Sequence, residues 1–93
     1  MVLIIADEPA AREVYGELFA MRGYDVMLAA GARDGLRAAR DRRIAVVVLA
    51  LATGATQLRR KLAALRPLVR VHVAAMMSQW TELAARQARQ HLH

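Results

Sequence analysis

The 93-residue chain contains no cysteine, which excludes disulfide bonds and metal sites built on thiolates. One Trp, one Phe and two Tyr are its only aromatic residues, too few for a platform on which nucleic-acid bases stack. The longest apolar run, residues 44–52, is far shorter than the roughly 18 residues of a membrane span. Asp7 and Glu8 interrupt the apolar N-terminus too early for a secretory signal. We therefore expect one cytoplasmic domain, residues 1–93, without membrane contact.

Acidic residues are almost missing from the second half of the chain. Residues 1–43 balance arginines against acids, whereas residues 44–93 set seven basic residues against Glu82 alone, so the net charge of +6 lies in that half. Such a charge would attract an acidic partner. However, the sequence contains no recognisable DNA- or RNA-binding motif. We expect a solvated basic face, and a small basic nucleic-acid-binding regulatory protein is the alternative.

Hydrophobic periodicity predicts four β-α units. Short apolar runs predict strands over residues 2–6, 25–30, 44–51 and 69–75. A helix follows each strand, the second over 32–43 and the last from 79 to about 91. In the first helix, Val14, Leu18 and Met21 have the i, i+4, i+7 spacing of a buried stripe. Short connections and right-handed crossovers predict an α/β fold with a parallel sheet and helices on both faces.

The segment VLIIADEPAAREVYGELFAMRGYDVMLAAGARDGLRAAR resembles the first half of response-regulator receiver domains of two-component signalling. The shared pattern is an apolar strand, adjacent acids with Glu-Pro, and a helix that ends in Gly-Tyr before the second strand. The resemblance covers about residues 2–76. It implies a flavodoxin-like, receiver-like three-layer sandwich with strand order 2-1-3-4, which lacks the fifth βα unit of the family.

The functional positions of that family are not retained. Ala6 and Asp7 stand where two acids hold Mg²⁺, Ala50 replaces the phosphoryl-accepting Asp, and Ala75 replaces the switch Thr or Ser. Lys61 lies in the third helix and does not match the family's lysine. One carboxylate is a poor start for a Mg²⁺ site, and an alanine methyl cannot accept a phosphoryl group. The resemblance therefore implies a degenerate phosphorylation site in a protein without enzymatic activity, metal or cofactor.

If the fold is retained without its chemistry, its surface carries the function. Without a fifth βα unit, the fourth strand would become an exposed edge and part of one sheet face would lose its cover. The last helix, a second copy or another protein could cover it. We expect a protein-binding module that forms a homodimer, with an interface that includes Arg70, His72, Trp80 and Leu83. Trp80 is equally compatible with a core position.

Other candidate sites have simpler structural interpretations. Asp7 and Glu8 suit the positive end of a helix better than half of a metal site. Residues 53–56 lack the Gly-Lys-Ser/Thr of a phosphate loop and are expected to cap the third helix. His72 is expected to be packed within its strand. A small-molecule sensor that uses the strand ends is a third, weaker hypothesis, since nothing in the sequence specifies a ligand.

Overall fold

The computed structural model describes residues 1–74. The predictions for Ala75, Trp80, Leu83 and a helix over residues 79–91 lie outside these described residues. Within them, strands and helices alternate as the periodicity predicted. The elements are β1 (Val2–Ala6), α1 (Pro9–Met21), β2 (Val26–Ala29), α2 (Ala32–Ala38), β3 (Val46–Ala50), α3 (Ala55–Leu65) and β4 (Arg70–Val73).

The four strands form one parallel sheet in the order β2-β1-β3-β4. At one end of the sheet, Val2 pairs with Val26 on one side and Val46 on the other, and Val46 pairs with Arg70. The α/β, flavodoxin-like fold predicted from the sequence is confirmed. Within residues 1–74, no helix is both long and apolar enough to cross a membrane.

Both faces of the two central strands are buried, which explains their nearly continuous apolar sequences. Because side chains alternate along a strand, each strand supplies two cores. Leu3, Ile5, Val47 and Leu49 face the core that contains Leu58 and Leu62 of α3. The other core lies under α1 and consists of Val2, Ile4, Ala6, Ala11, Tyr15, Val48 and Ala50.

The second helix is shorter than predicted, since α2 ends at Ala38 and turns follow it. The Arg66 guanidinium at the end of α3 holds these turns. Its Nη1 donates hydrogen bonds to the carbonyl oxygens of Ala39 (3.0 Å) and Asp41 (2.9 Å), and its Nη2 donates to that of Ile44 (3.1 Å). The Ala39 carbonyl, which a helix over residues 32–43 would use internally, is therefore bound to this side chain instead.

The predicted buried stripe of α1 is wrong. Ala11 and Tyr15 are the buried residues of α1, with Phe19 packed beside them. The predicted residues are exposed instead: Val14 by 37%, Leu18 by 42% and Met21 by 83%. Two lines of apolar side chains therefore run along α1. Tyr15 and Phe19, which pack on the sheet, each follow by one residue a member of the predicted line, Val14 or Leu18.

Candidate functional site

The carboxyl ends of the central strands carry only methyl groups where an open α/β sheet normally places its chemistry. Ala6 ends β1, Ala50 ends β3, and the two residues are in register. Both are buried. An alanine methyl cannot accept a phosphoryl group, so neither of these two residues is a nucleophile.

Asp7 ties the end of β1 to the loop that follows β3. Its Oδ2 accepts a hydrogen bond from the backbone N–H of Ala52 at 3.3 Å. Glu8 is the residue that caps α1, but its side chain makes no capping hydrogen bond. Glu8 therefore stands at the positive end of α1, as expected, and the Asp7 carboxylate anchors a loop.

Arg12 places a positive charge at the same strand end. Its Nη1 donates a hydrogen bond to the carbonyl oxygen of Ala6 at 2.8 Å. A guanidinium at this position repels a metal cation and uses an oxygen that could have been a ligand. Among residues 1–74, no group of three or more His, Cys, Asp or Glu side chains could hold a metal ion. The sequence did not predict this role of Arg12.

The loop after β3 turns at Gly54, whose φ of 78° lies in the left-handed region that favours glycine. Gly54 caps α3, within the segment 53–56 that was expected to do so, and no side chain makes a capping hydrogen bond there. A cavity of about 230 Å³ lies between this loop and the start of α2. Asp7 and Lys61 both line it. Lys61 therefore lies on the wall of this cavity. The sequence could not predict this position, because it does not show how α3 packs against the strand ends.

A larger apolar depression lies on the α1 face of the sheet, which we call the α1–β4 groove. It has a volume of about 360 Å³. The lining residues from the sheet are Val2, Val46, Val48, His72 and Ala74, and the aromatic rings of Tyr15, Phe19 and Tyr24 complete its wall. The rings of Phe19 and Tyr24 meet edge to face, with centroids 5.8 Å apart. Among residues 1–74, no helix covers β4 on this face.

The exposed residues Val14, Leu18 and Met21 form a second apolar feature, which we call the α1 ridge. Gly16 marks the opposite side of the helix, because a Cβ there would lie 3.4 Å from the Leu28 side chain of β2. Val14 and Leu18 are each two residues from Gly16, and so roughly 200° around a helix of 3.6 residues per turn. The ridge therefore faces away from β2 and toward the α1–β4 groove.

The predicted interface residues that the structure describes both lie on β4. Arg70 and His72 are two residues apart, so they project from the same face of the strand. Both are exposed, and His72 lines the groove. The expectation that His72 is packed within the sheet is therefore wrong. In the described part of the chain, the outer edge of β4 has no strand beside it.

The structure therefore defines a flavodoxin-like α/β domain whose two central strands end in buried alanines. No protein-family model matches the chain, and a comparison with curated proteins also finds no match. The strand ends, the groove and the ridge are therefore the features of the molecule that bear on its function.

Proposed function

We propose that this protein is a phosphorylation-independent pseudo-receiver, a signalling module that binds protein and associates with itself. The observation that carries the proposal is the pair of buried alanines, Ala6 and Ala50, side by side at the strand ends. A receiver-like fold that keeps its sheet but has methyl groups at its reactive positions can act only through its surface.

The electrostatics at the strand ends support this proposal. Formation of an acyl phosphate needs a carboxylate nucleophile, and Mg²⁺ must neutralise the charge of the phosphoryl group. The one carboxylate present, that of Asp7, is bound to the Ala52 N–H. The guanidinium of Arg12 is fixed on the Ala6 carbonyl at the same strand end. Both charged groups serve to hold the backbone.

Protein binding is supported by what the surface exposes. The groove lining is mostly apolar, and the ridge beside it adds three large apolar side chains. Adjoining apolar surface of this kind on a small domain is typical of a protein–protein interface. Arg70 borders it on β4, and the combination of apolar centre and charged rim is the usual composition of such interfaces.

Phosphoryl transfer from acetyl phosphate tests the proposal. The full chain is incubated with acetyl phosphate and Mg²⁺, and its intact mass is measured beside an active receiver domain treated in the same way. We expect the active domain to gain one phosphoryl group and this protein to gain none. Sedimentation velocity before and after the treatment should show the same self-association. A phosphoryl adduct on this chain, or association that requires the treatment, would contradict the proposal.

A further inference from the structure

The α1 ridge and the α1–β4 groove lie side by side on one face of the sheet. The ridge is convex and apolar, and it borders a concave apolar surface. A surface that contains both shapes is complementary to a second copy of itself, because a two-fold axis can set the two ridges side by side and bring α1 of each copy over the groove of the other. The shape of this face alone thus allows an isologous dimer.

The helices that follow β2 and β3 pack on the other face of the sheet. α2 and α3 lie over Leu3, Ile5, Val47 and Leu49. On β4, the side chain of Val73 alternates with that of His72 and is 51% exposed. The groove beside His72 therefore lies on the face of the sheet opposite to α2 and α3.

The charges on this face also complement one another. A two-fold axis parallel to the strands would set the two ridges against each other and place α1 of each copy over the partner's groove. Glu17 lies next to the ridge, on the side of α1 that points away from the sheet. It belongs to the half of the helix that packs near the start of the strands. Arg70 begins β4 at the same level, paired with Val46. This arrangement brings each Glu17 carboxylate to the partner's β4, near Arg70.

We infer that a second copy of this chain occupies the groove. The α1 ridges of the two protomers lie against each other, and Glu17 faces Arg70 across the interface. This inference rests on the proposed function and names the surface through which the protein associates with itself. Both charged residues are exposed, and neither forms an ion pair among residues 1–74. The groove has eight lining residues, well below the roughly 20–30 per partner of a standard interface even with the ridge added. We therefore expect a weak dimer that dissociates on dilution.

Charge reversal tests the assignment. Sedimentation velocity over a concentration series gives the dimer dissociation constant of the full chain and of Glu17→Arg, Arg70→Glu and the double variant. Each single variant should raise the constant about tenfold or more, since it places like charges together twice per dimer. The double variant should restore most of the affinity. Only a direct pairing of the two positions predicts this rescue.

Two exposed positions on the other face of the sheet provide matched controls. Asp34→Arg on α2 makes the same charge change as Glu17→Arg, and Arg59→Glu on α3 makes the same change as Arg70→Glu. Both should dimerise as the unchanged chain does. A dimer that ignores the Glu17 and Arg70 variants would overturn the assigned surface while leaving self-association intact. A chain that remains monomeric at every concentration would contradict both.

The sole tryptophan reports the competing occupant. If the chain's own residues covered the groove, Leu18→Glu on the ridge would shift Trp80 fluorescence in dilute, monomeric protein. We expect Leu18→Glu to weaken the dimer and to leave the emission of the monomer unchanged. A shift in the monomer's emission would assign the groove to the C-terminal residues and overturn the inference.

Discussion

Gly35 of α2 lies so close to the sheet that position 35 has no room for a side chain. A Cβ at this position of α2 would overlap the Ile5 side chain, with Cγ1 only 2.8 Å away, and Ile5 is fully buried. Alanine favours helices over glycine by about 1 kcal/mol, but overpacking a core costs about 1–3 kcal/mol. We expect Gly35→Ala to lower the free energy of unfolding by up to about 2 kcal/mol in urea denaturation.

Gly16 is the matched control for this prediction. It lies in α1, and a Cβ there would meet only the flexible end of Leu28 at 3.4 Å. Gly16→Ala should therefore gain up to about 1 kcal/mol of stability from helix preference. If both substitutions changed stability in the same direction, the contact between Gly35 and Ile5 would not be the controlling factor.

Single residues at the candidate site were predictable only where the backbone position decides their role. Ala6 and Ala50 could be placed at the strand ends because strand periodicity and the receiver resemblance fix them. The hydrogen bond from Arg12 to the Ala6 carbonyl could not be predicted, because a long side chain on α1 has several carbonyls within reach. The Asp7 contact with Ala52 depends in the same way on the path of a loop distant in sequence.

At the scale of elements, Arg66 connects α3 to the segment between α2 and β3. Its three hydrogen bonds to backbone carbonyls are partly buried, and bonds that involve a charged donor contribute about 1.5–3 kcal/mol each. Because the freed carbonyls can bind water, we expect Arg66→Ala to lower the free energy of unfolding by about 2–3 kcal/mol in chemical denaturation. Arg66→Lys should recover little, since an ammonium lacks the planar fork of donors.

Arg60→Ala is the control, because Arg60 is exposed on α3 and its replacement should change stability by less than about 0.5 kcal/mol. Equal losses in the Arg66 and Arg60 variants would argue against the role of Arg66.

The nearby ion pair of Asp41 and Arg43 (2.7 Å) should persist in both variants. Hydrogen bonds from Arg43 lower the pKa of Asp41 to about 2. The pair therefore contributes its stability above the ordinary pKa of Asp and loses it as the pH falls toward 2.

Element type and order were predictable from periodicity, but element ends and burial were not. The i, i+4, i+7 pattern of Val14, Leu18 and Met21 predicted an apolar side of α1 correctly. It could not decide which of two adjacent apolar lines packs on the sheet, because Ala11, Tyr15 and Phe19 form an equally regular line. After α2 the Arg43 N–H donates to Asp41 Oδ1 in a local turn, and Arg66, distant in the chain, binds the carbonyls of the same segment. Helical periodicity alone therefore could not place the end of α2.

At the scale of the whole molecule, the two functional hypotheses occupy opposite faces. The groove and the ridge lie on the α1 face, whereas Arg59, Arg60 and Lys61 are exposed on α3, which packs on the other side of the sheet. The distribution of charge in the sequence predicted the basic half. Only the structure shows that the basic residues of α3 lie on the opposite face of the sheet from the apolar surface. Nucleic-acid binding and self-association can therefore be tested independently.

Electrophoretic mobility shift with two unrelated DNA duplexes distinguishes general attraction from a specific function. We expect weak shifts of equal size at low salt that disappear at about 0.2 M salt, since phosphate contacts release counterions and each contributes a slope of about −0.9 in log K against log salt. A variant with Arg59→Ala and Arg60→Ala should reduce that slope and leave the dimer constant unchanged. A shift that selects one duplex and survives moderate salt would contradict this expectation. The α3 face, and not the groove, would then carry the main function.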